Sequence, residues 1–398
     1  MSTAIIITLC LLLLLAYVFD LSSSKTKIPS VILLITLGWG VSQFASTLRL
    51  QIPNLNSALP ILGTVGLILI VLEGSLELEL NPSKRSIISK SSILAIAQLL
   101  LTSFGLAYMF TVVGGYAFKD GLMNAIPLSV ISSAIAIPSA RNLKARHREF
   151  ITYESSLSDI FGVIFFNFLA LNASINFGSF GGFVLNLIMM VLVSFVSTLG
   201  LAYLLSKVKH HIKFIPIILL VILIYSVSKV FHLPSLIFIM IFGLFIGNVI
   251  QLKSLNRIPD FHPELLNAEI QKFKEITTEI TFLIRSLFFL LFGFLINSSD
   301  LFNPQNAQWA VWITLGIFAV RAFLLLLVRL PINPLLYIAP RGLITILLFL
   351  SLPTNRQINM VNQSLILQVI VLMALVMMFG LMQHQSHKNP KKPLSDPL

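Results

Sequence analysis

The chain has 398 residues, 57% of them hydrophobic and 11% charged, with a mean hydropathy of +0.94. A soluble domain of this length needs more charge to cover its surface, so the composition excludes one and points to a polytopic membrane protein. The net charge of +12 is carried by Lys and Arg scattered through short connections, which fits the positive-inside bias and argues against a nucleic-acid partner.

The first apolar segment, residues 4–18, has no basic stretch before it and no small-residue cleavage site after it. It is predicted as a retained helix and not a signal peptide. The single cysteine, Cys10, lies within it, so no disulfide or thiolate metal site is expected. Windows of about 20 apolar residues, the length that crosses a bilayer, then centre near Thr36, Gly66, Thr102, Ser132, Gly162, Leu192, Leu223, Phe242, Phe288, Phe318, Thr345 and Leu372. With the first segment they make about thirteen predicted transmembrane helices. The tail, residues 384–398, is short and basic, and the longest polar connection, about 251–274, is too short for a soluble domain.

Loop charge tests this count. With the amino terminus outside and the carboxyl terminus in the cytoplasm, twenty of the 27 basic residues fall in cytoplasmic connections or the tail. The opposite loops hold Arg49, Lys119, Lys229 and Arg356. Such a bias survives only if helices and loops are counted correctly. Arg285, Arg321 and Arg341 remain inside spans, alongside two acids, Glu154 and Asp159, in the sixth segment. A carboxylate near the bilayer centre costs roughly 2.5–3.5 kcal/mol, so such groups pair or face a water-filled cavity. The interior is therefore expected to be polar in part. Glu73, Glu77 and Glu79 end the third segment and are expected to reach the headgroups and face Lys84 and Arg85, or else to form a cation-gathering mouth. All seven histidines fall in connections or the tail, so no metal site beyond a transported cation, and no cofactor, is expected.

Two segments carry helix breakers. The fifth, NAIPLSVISSAIAIPSARNL, has Pro127 and Pro138 around Ser132 and Ser133; the twelfth, PLLYIAPRGLITILLFLSLP, has Pro340, Arg341 and Gly342 in its first half. A membrane helix is broken only where the freed backbone groups face protein or water. Two broken segments running in opposite directions are the mark of an inverted-repeat transporter whose site lies where they cross.

The sixth segment, Glu154-Ser155-Ser156-Leu157-Ser158-Asp159, resembles the Glu-Ser-x-x-Asn-Asp signature of the monovalent cation:proton antiporters that include the sodium/proton exchangers. PRGLITILLFLSLP resembles that family's Leu-Arg-Gly-Ala-x-Ser stretch, LILIVLEGSLELEL its Gly-Leu-Glu segment, SLFFLLFGFLI its Phe-Phe-x-x-x-Gly segment, and Arg321 its eleventh-helix cation. These matches follow family order over nearly the whole chain. There are two departures: Ser132-Ser133-Ala134 stands for the usual Thr-Asp-Pro, closer to the Ser-Ser-Thr-Ala of potassium-type relatives, and Ser158 replaces the Asn or Asp before the essential acid.

The resemblance implies an all-α antiporter fold with inverted repeats. A dimer-forming scaffold (roughly residues 1–80 and 213–297) would flank a moving core (roughly 91–172 and 308–383) within a transmembrane domain of residues 1–383. It implies a secondary transporter, not an enzyme, in the cell membrane, exchanging Na⁺, K⁺ or Li⁺ for H⁺, with Na⁺ favoured. Potassium/proton exchange and a transport-inactive sensor or assembly homologue are the alternatives. Asp159 is the expected carrier, because a carboxyl group withdrawn from bulk water is neutralised by either a proton or a hard cation and the two compete. Ser132, Ser133, Ser155 and Ser158 could complete the shell, and Arg285 is the architectural partner if Asp159 carries nothing. Glu154 needs a partner: the resemblance implies a structural ion pair, depth along the helices slightly favours Arg341 over Arg321, and the sequence does not choose.

Overall fold

A computed structural model describes residues 2–26, 28–48, 55, 58–78, 82–172, 177–207, 214–231, 233, 235–248, 263–296, 298 and 303–386. Among them every regular element is a helix, because in hydrocarbon a spanning segment must satisfy its own backbone. In chain order these are α1 (Ser2–Thr26), α2 (Ser30–Thr47), α3 (Ala58–Glu77), α4 (Arg85–Gly114), α5 (Phe118–Ser129), α6 (Ser133–Ala140), α7 (Ala145–Leu171) and α8 (Phe177–Lys207). There follow α9 (Phe214–Val230), α10 (Leu236–Asn248), α11 (Pro263–Phe294), α12 (Pro304–Leu327), α13 (Ile332–Leu335), α14 (Leu343–Leu350) and α15 (Gln363–Ser386). Nine stretches among the described residues are long and apolar enough to cross a membrane, and shorter apolar helices accompany them. Glu79, Arg49 and five histidines, His210, His211, His232, His262 and His387, lie outside the described residues.

The helices pack in two groups. In the first, α11 lies against α2 and α3, and α10 against α3 and α8. In the second, α4 packs on α5, α7 and α12, α6 on α7, and α12 on α15. Between the groups, α3 touches α6, α7 and α14, and α10 touches α7. The α2–α11 contact is made by glycine: a Cβ on Gly38 would collide with the Leu290 carbonyl, and one on Gly293 with the Ile35 carbonyl. Between membrane helices, where lipid tails remove most of the hydrophobic drive, such close backbone approach supplies the packing energy.

The two interrupted segments are the centre of the second group. The chain leaves α5 at Ser129, runs extended through Val130, and re-enters a helix, α6, at Ser133. Residues 336–342 likewise separate α13 from α14, and α14 packs on α5. Pro127 and Pro138 lie inside the half-helices, not at the break. Pro340, Arg341 and Gly342 lie at the second break itself.

Candidate functional site

The first break frees three consecutive amides, and the destination of each defines the site. In an unbroken helix the amides of Ile131, Ser132 and Ser133 would donate to carbonyls four residues back. Here Ile131 N donates to the Ser158 hydroxyl at 2.9 Å, Ser132 N to the Pro340 carbonyl at 2.9 Å, and Ser133 N to Asp159 Oδ2 at 3.1 Å. The Ser133 hydroxyl donates to the same carboxylate oxygen. One break thus binds α7 twice and the second break once. Buried backbone groups must be paired, so these side chains are what makes an interrupted membrane helix tolerable.

The freed carbonyls are answered by arginines. Leu128 O, whose helical donor would have been Ser132 N, accepts from Arg341 Nε at 2.6 Å, and Arg341 Nη1 donates to Ala339 O at 2.8 Å. Ala134 O has no helical donor because Pro138 lacks an N–H, and Arg285 Nη1 approaches it at 3.4 Å from α11. Gly342 allows the two breaks to meet: a Cβ there would lie 2.7 Å from Ile135 Cδ1 and 2.9 Å from the Ser132 hydroxyl.

Asp159 is 2% exposed, and its Oδ1 and the Ser132 hydroxyl have no hydrogen-bond partner among the described residues. Among the described residues no arginine forms an ion pair with Asp159; its donors come from Ser133 at the first turn of α6, where the helix dipole favours an anion. A cavity of about 760 Å³ is lined by Ser133, which holds Asp159, together with Glu73, Glu77, Lys274 and Arg285. Lys84, Arg141 and Arg148 also line it. The arrangement is a buried hard-oxygen carboxylate one residue removed from a cavity, held by Ser133, which lines it. Among the described residues no cluster of three metal-ligating side chains is present.

Five residues before Asp159 on α7, Glu154 forms a fork-on-fork pair with Arg321 of α12. Arg321 Nη1 lies 2.8 Å from Oε1 and Nη2 3.0 Å from Oε2. Arg321 also donates from Nε to Leu335 O at 2.8 Å and from Nη2 to Ile338 O at 3.1 Å. Both side chains are almost fully buried. Four directed hydrogen bonds fix the guanidinium against the loop that enters the second break.

The profile of the family described as "Sodium/hydrogen exchanger, transmembrane" matches residues 10–384. The chain belongs to the sodium/hydrogen exchanger family. Exchangers of this family are secondary transporters and not enzymes. A structure of the sodium proton antiporter MjNhaP1 from Methanocaldococcus jannaschii at pH 8 superposes with a TM-score of 0.68 at 20% identity, covering 97% of this chain and all (100%) of that one. An electron-microscopy structure of the same antiporter gives 0.67 at 19% identity, covering 100% of both chains. No curated protein sequence matches the chain.

In this member of the family the predicted site residues do not all come together. Asp159, Ser133, Ser132 and Ser158 come together at the crossing. Ser155 lies on the same helix, but its hydroxyl donates to Ile151 O at 2.7 Å, the ordinary helical back-bond, and makes no bond to Asp159. The partner of Glu154 is Arg321, not Arg341, whose guanidinium closes the end of α5. Glu73 and Glu77 line the cavity together with Lys84, Lys274 and Arg285, and Lys84 pairs with Glu149 at 3.1 Å. The back-bond of Ser155 and the engagement of Ser158 by a freed amide had no signature beyond residue type.

Proposed function

We propose that the protein exchanges a monovalent cation for a proton at Asp159, with Na⁺ favoured over K⁺. The observation that carries this reading is the donor set of that carboxylate. Two groups of Ser133, which lines the cavity, hold it at the crossing of the broken helices, while buried Arg321 and Arg341 and half-buried Arg285 are engaged elsewhere. An ionised carboxylate held this way needs a counter-ion, and a proton or an alkali cation supplies it, one excluding the other. Because Glu154 is locked to Arg321, Asp159 alone changes charge state, which gives one cation per proton and an electroneutral cycle.

On this reading the group containing α2, α3, α10 and α11 is a stationary, dimer-forming scaffold in the cell membrane. The group carrying both breaks moves against it and presents Asp159 to each side. The cavity lined in part by Lys84, Arg141 and Arg148 is then the cytoplasmic entrance. Ser133, in place of an acid, leaves a single carboxylate at the crossing, and this also suits potassium/proton exchange.

The experiment is a pH-dye dequenching assay in proteoliposomes carrying an imposed pH gradient, challenged with Na⁺, Li⁺ and K⁺. The native chain is expected to respond to at least one cation, independently of membrane potential, and Asp159→Asn to none. An equal response from the variant removes the assignment.

A further inference from the structure

We propose that the ends of α4, α7 and α12 on the side of the basic loops form a binding pocket for a phosphate-bearing anion at the level of the lipid headgroups. A second cavity, about 240 Å³, lies there, lined by Ser86 and Lys90 of α4, Arg146 and His147 of α7, and Arg329 just beyond α12. Three permanent cations from elements far apart in sequence share it, and among the described residues no carboxylate lines it.

Neighbouring cations on this side behave differently. Lys84 pairs with Glu149, and Arg141 lies 3.8 Å from Asp20. Lys90, Arg146 and Arg329 pair with no carboxylate among the described residues, and Glu149, the acid nearest in sequence to Arg146, is already engaged by Lys84. Like charges gathered in one cavity repel one another. An anion seated among them removes that cost, and guanidinium forks with an ammonium and a hydroxyl match the several oxygens of a phosphate.

The depth of the pocket indicates the source. Phe323, Leu326 and Leu327 on α12 are 58%, 61% and 66% exposed, and Ile93 on α4 is 55% exposed. This apolar surface ends within one turn of Arg329 and Lys90. The pocket therefore sits where hydrocarbon gives way to headgroups, the position at which basic pockets between membrane helices take anionic lipid. The shared chemistry is a phosphate group, and an anionic phospholipid presents it at this depth. Nothing in this assignment depends on what Asp159 carries.

The test uses the purified, delipidated full chain in detergent, titrated with phosphatidylglycerol and followed by native mass spectrometry, with inorganic phosphate as competitor. Each cation near an anionic headgroup contributes about fivefold in affinity, so the Lys90→Gln, Arg146→Gln, Arg329→Gln triple variant should bind phosphatidylglycerol about a hundredfold more weakly. Lys90→Arg with Arg329→Lys should keep most of the affinity, and Lys272→Gln, on an exposed and separate face, should change nothing. A triple variant that runs normally on size exclusion and retains native affinity for phosphatidylglycerol overturns the proposal. Competition by inorganic phosphate in the native chain assigns recognition to the phosphate group alone. Loss of lipid in the triple variant without competition assigns it to phosphate presented by lipid.

Discussion

Replacing Arg321 by Met removes a guanidinium that makes four hydrogen bonds inside the bundle, two to Glu154 and one each to Leu335 O and Ile338 O. Methionine fills much of the volume, so the loss is electrostatic and not a cavity. Breaking one side of a buried ion pair costs about 3–5 kcal/mol because the remaining charge has no partner. The two carbonyls add about 1–3 kcal/mol each if left unsatisfied. The change should therefore approach the whole stability of an ordinary domain, about 5–15 kcal/mol. Thermal melting in detergent by fluorescence-detected size exclusion should show Arg321→Met as strongly destabilised, and Arg321→Lys as intermediate, since an ammonium cannot reproduce the fork. Glu154→Gln with Arg321→Gln should recover part of the loss, whereas Glu154→Gln with Arg341→Gln should show only additive costs. Melting of Arg321→Met within a degree of the native chain, or coupling of Glu154 to Arg341 instead, would refute the pairing.

Ser133→Ala removes the hydroxyl donor to Asp159 and keeps the amide. A hydrogen bond to a charged group contributes about 1.5–3 kcal/mol, so the ionised carboxylate is disfavoured about tenfold or more. The proton then competes better, and in the dequenching assay the half-saturating cation concentration should rise about tenfold at fixed pH, with less effect as pH is raised. Gly342→Val forces a side chain onto Ile135 and the Ser132 hydroxyl and should abolish exchange in proteoliposomes, while Gly105→Ala, which meets nothing within 4 Å, should be silent. On the opposite side of the second helix group, Asn124 donates to Asp120 O at 2.8 Å and Arg356 O at 2.7 Å and is fully buried. Asn124→Ala should lower melting by the equivalent of about 1–3 kcal/mol, and Arg356→Gln, whose ion pair with Asp120 is a third exposed, by less than about 1 kcal/mol.

The sequence made the crossing legible because its signals are backbone signals. Pro340 and Gly342 mark the second break directly. Pro127 and Pro138 bracket the first, whose actual gap at residues 130–132 contains no breaker. Asp159 was legible because a carboxylate in an apolar run is costly. The partner of Glu154 was not, because depth along a helix says nothing about which way the helix is turned. Arg341 lies at a suitable depth but faces the open end of α5, where Leu128 O needs a donor. Ser155 was indistinguishable from Ser158 by type, and only the break decides which hydroxyl meets a freed amide. The anion pocket was invisible for a similar reason: Lys90, Arg146 and Arg329 read as three ordinary loop charges until the fold gathers them. The helix count was limited by length, since α10, at 13 residues, is shorter than a full span.

On the proposed mechanism one carboxyl group takes a proton and a cation in turn. This is tested most directly by measuring protons released to a weakly buffered pH indicator when Na⁺ or K⁺ is added to the purified protein, across a pH series. Release should approach one proton per cation bound at low pH, fall toward zero as pH rises, and be absent in Asp159→Asn. Cation binding without proton release at any pH, or release that survives Asp159→Asn, would contradict it.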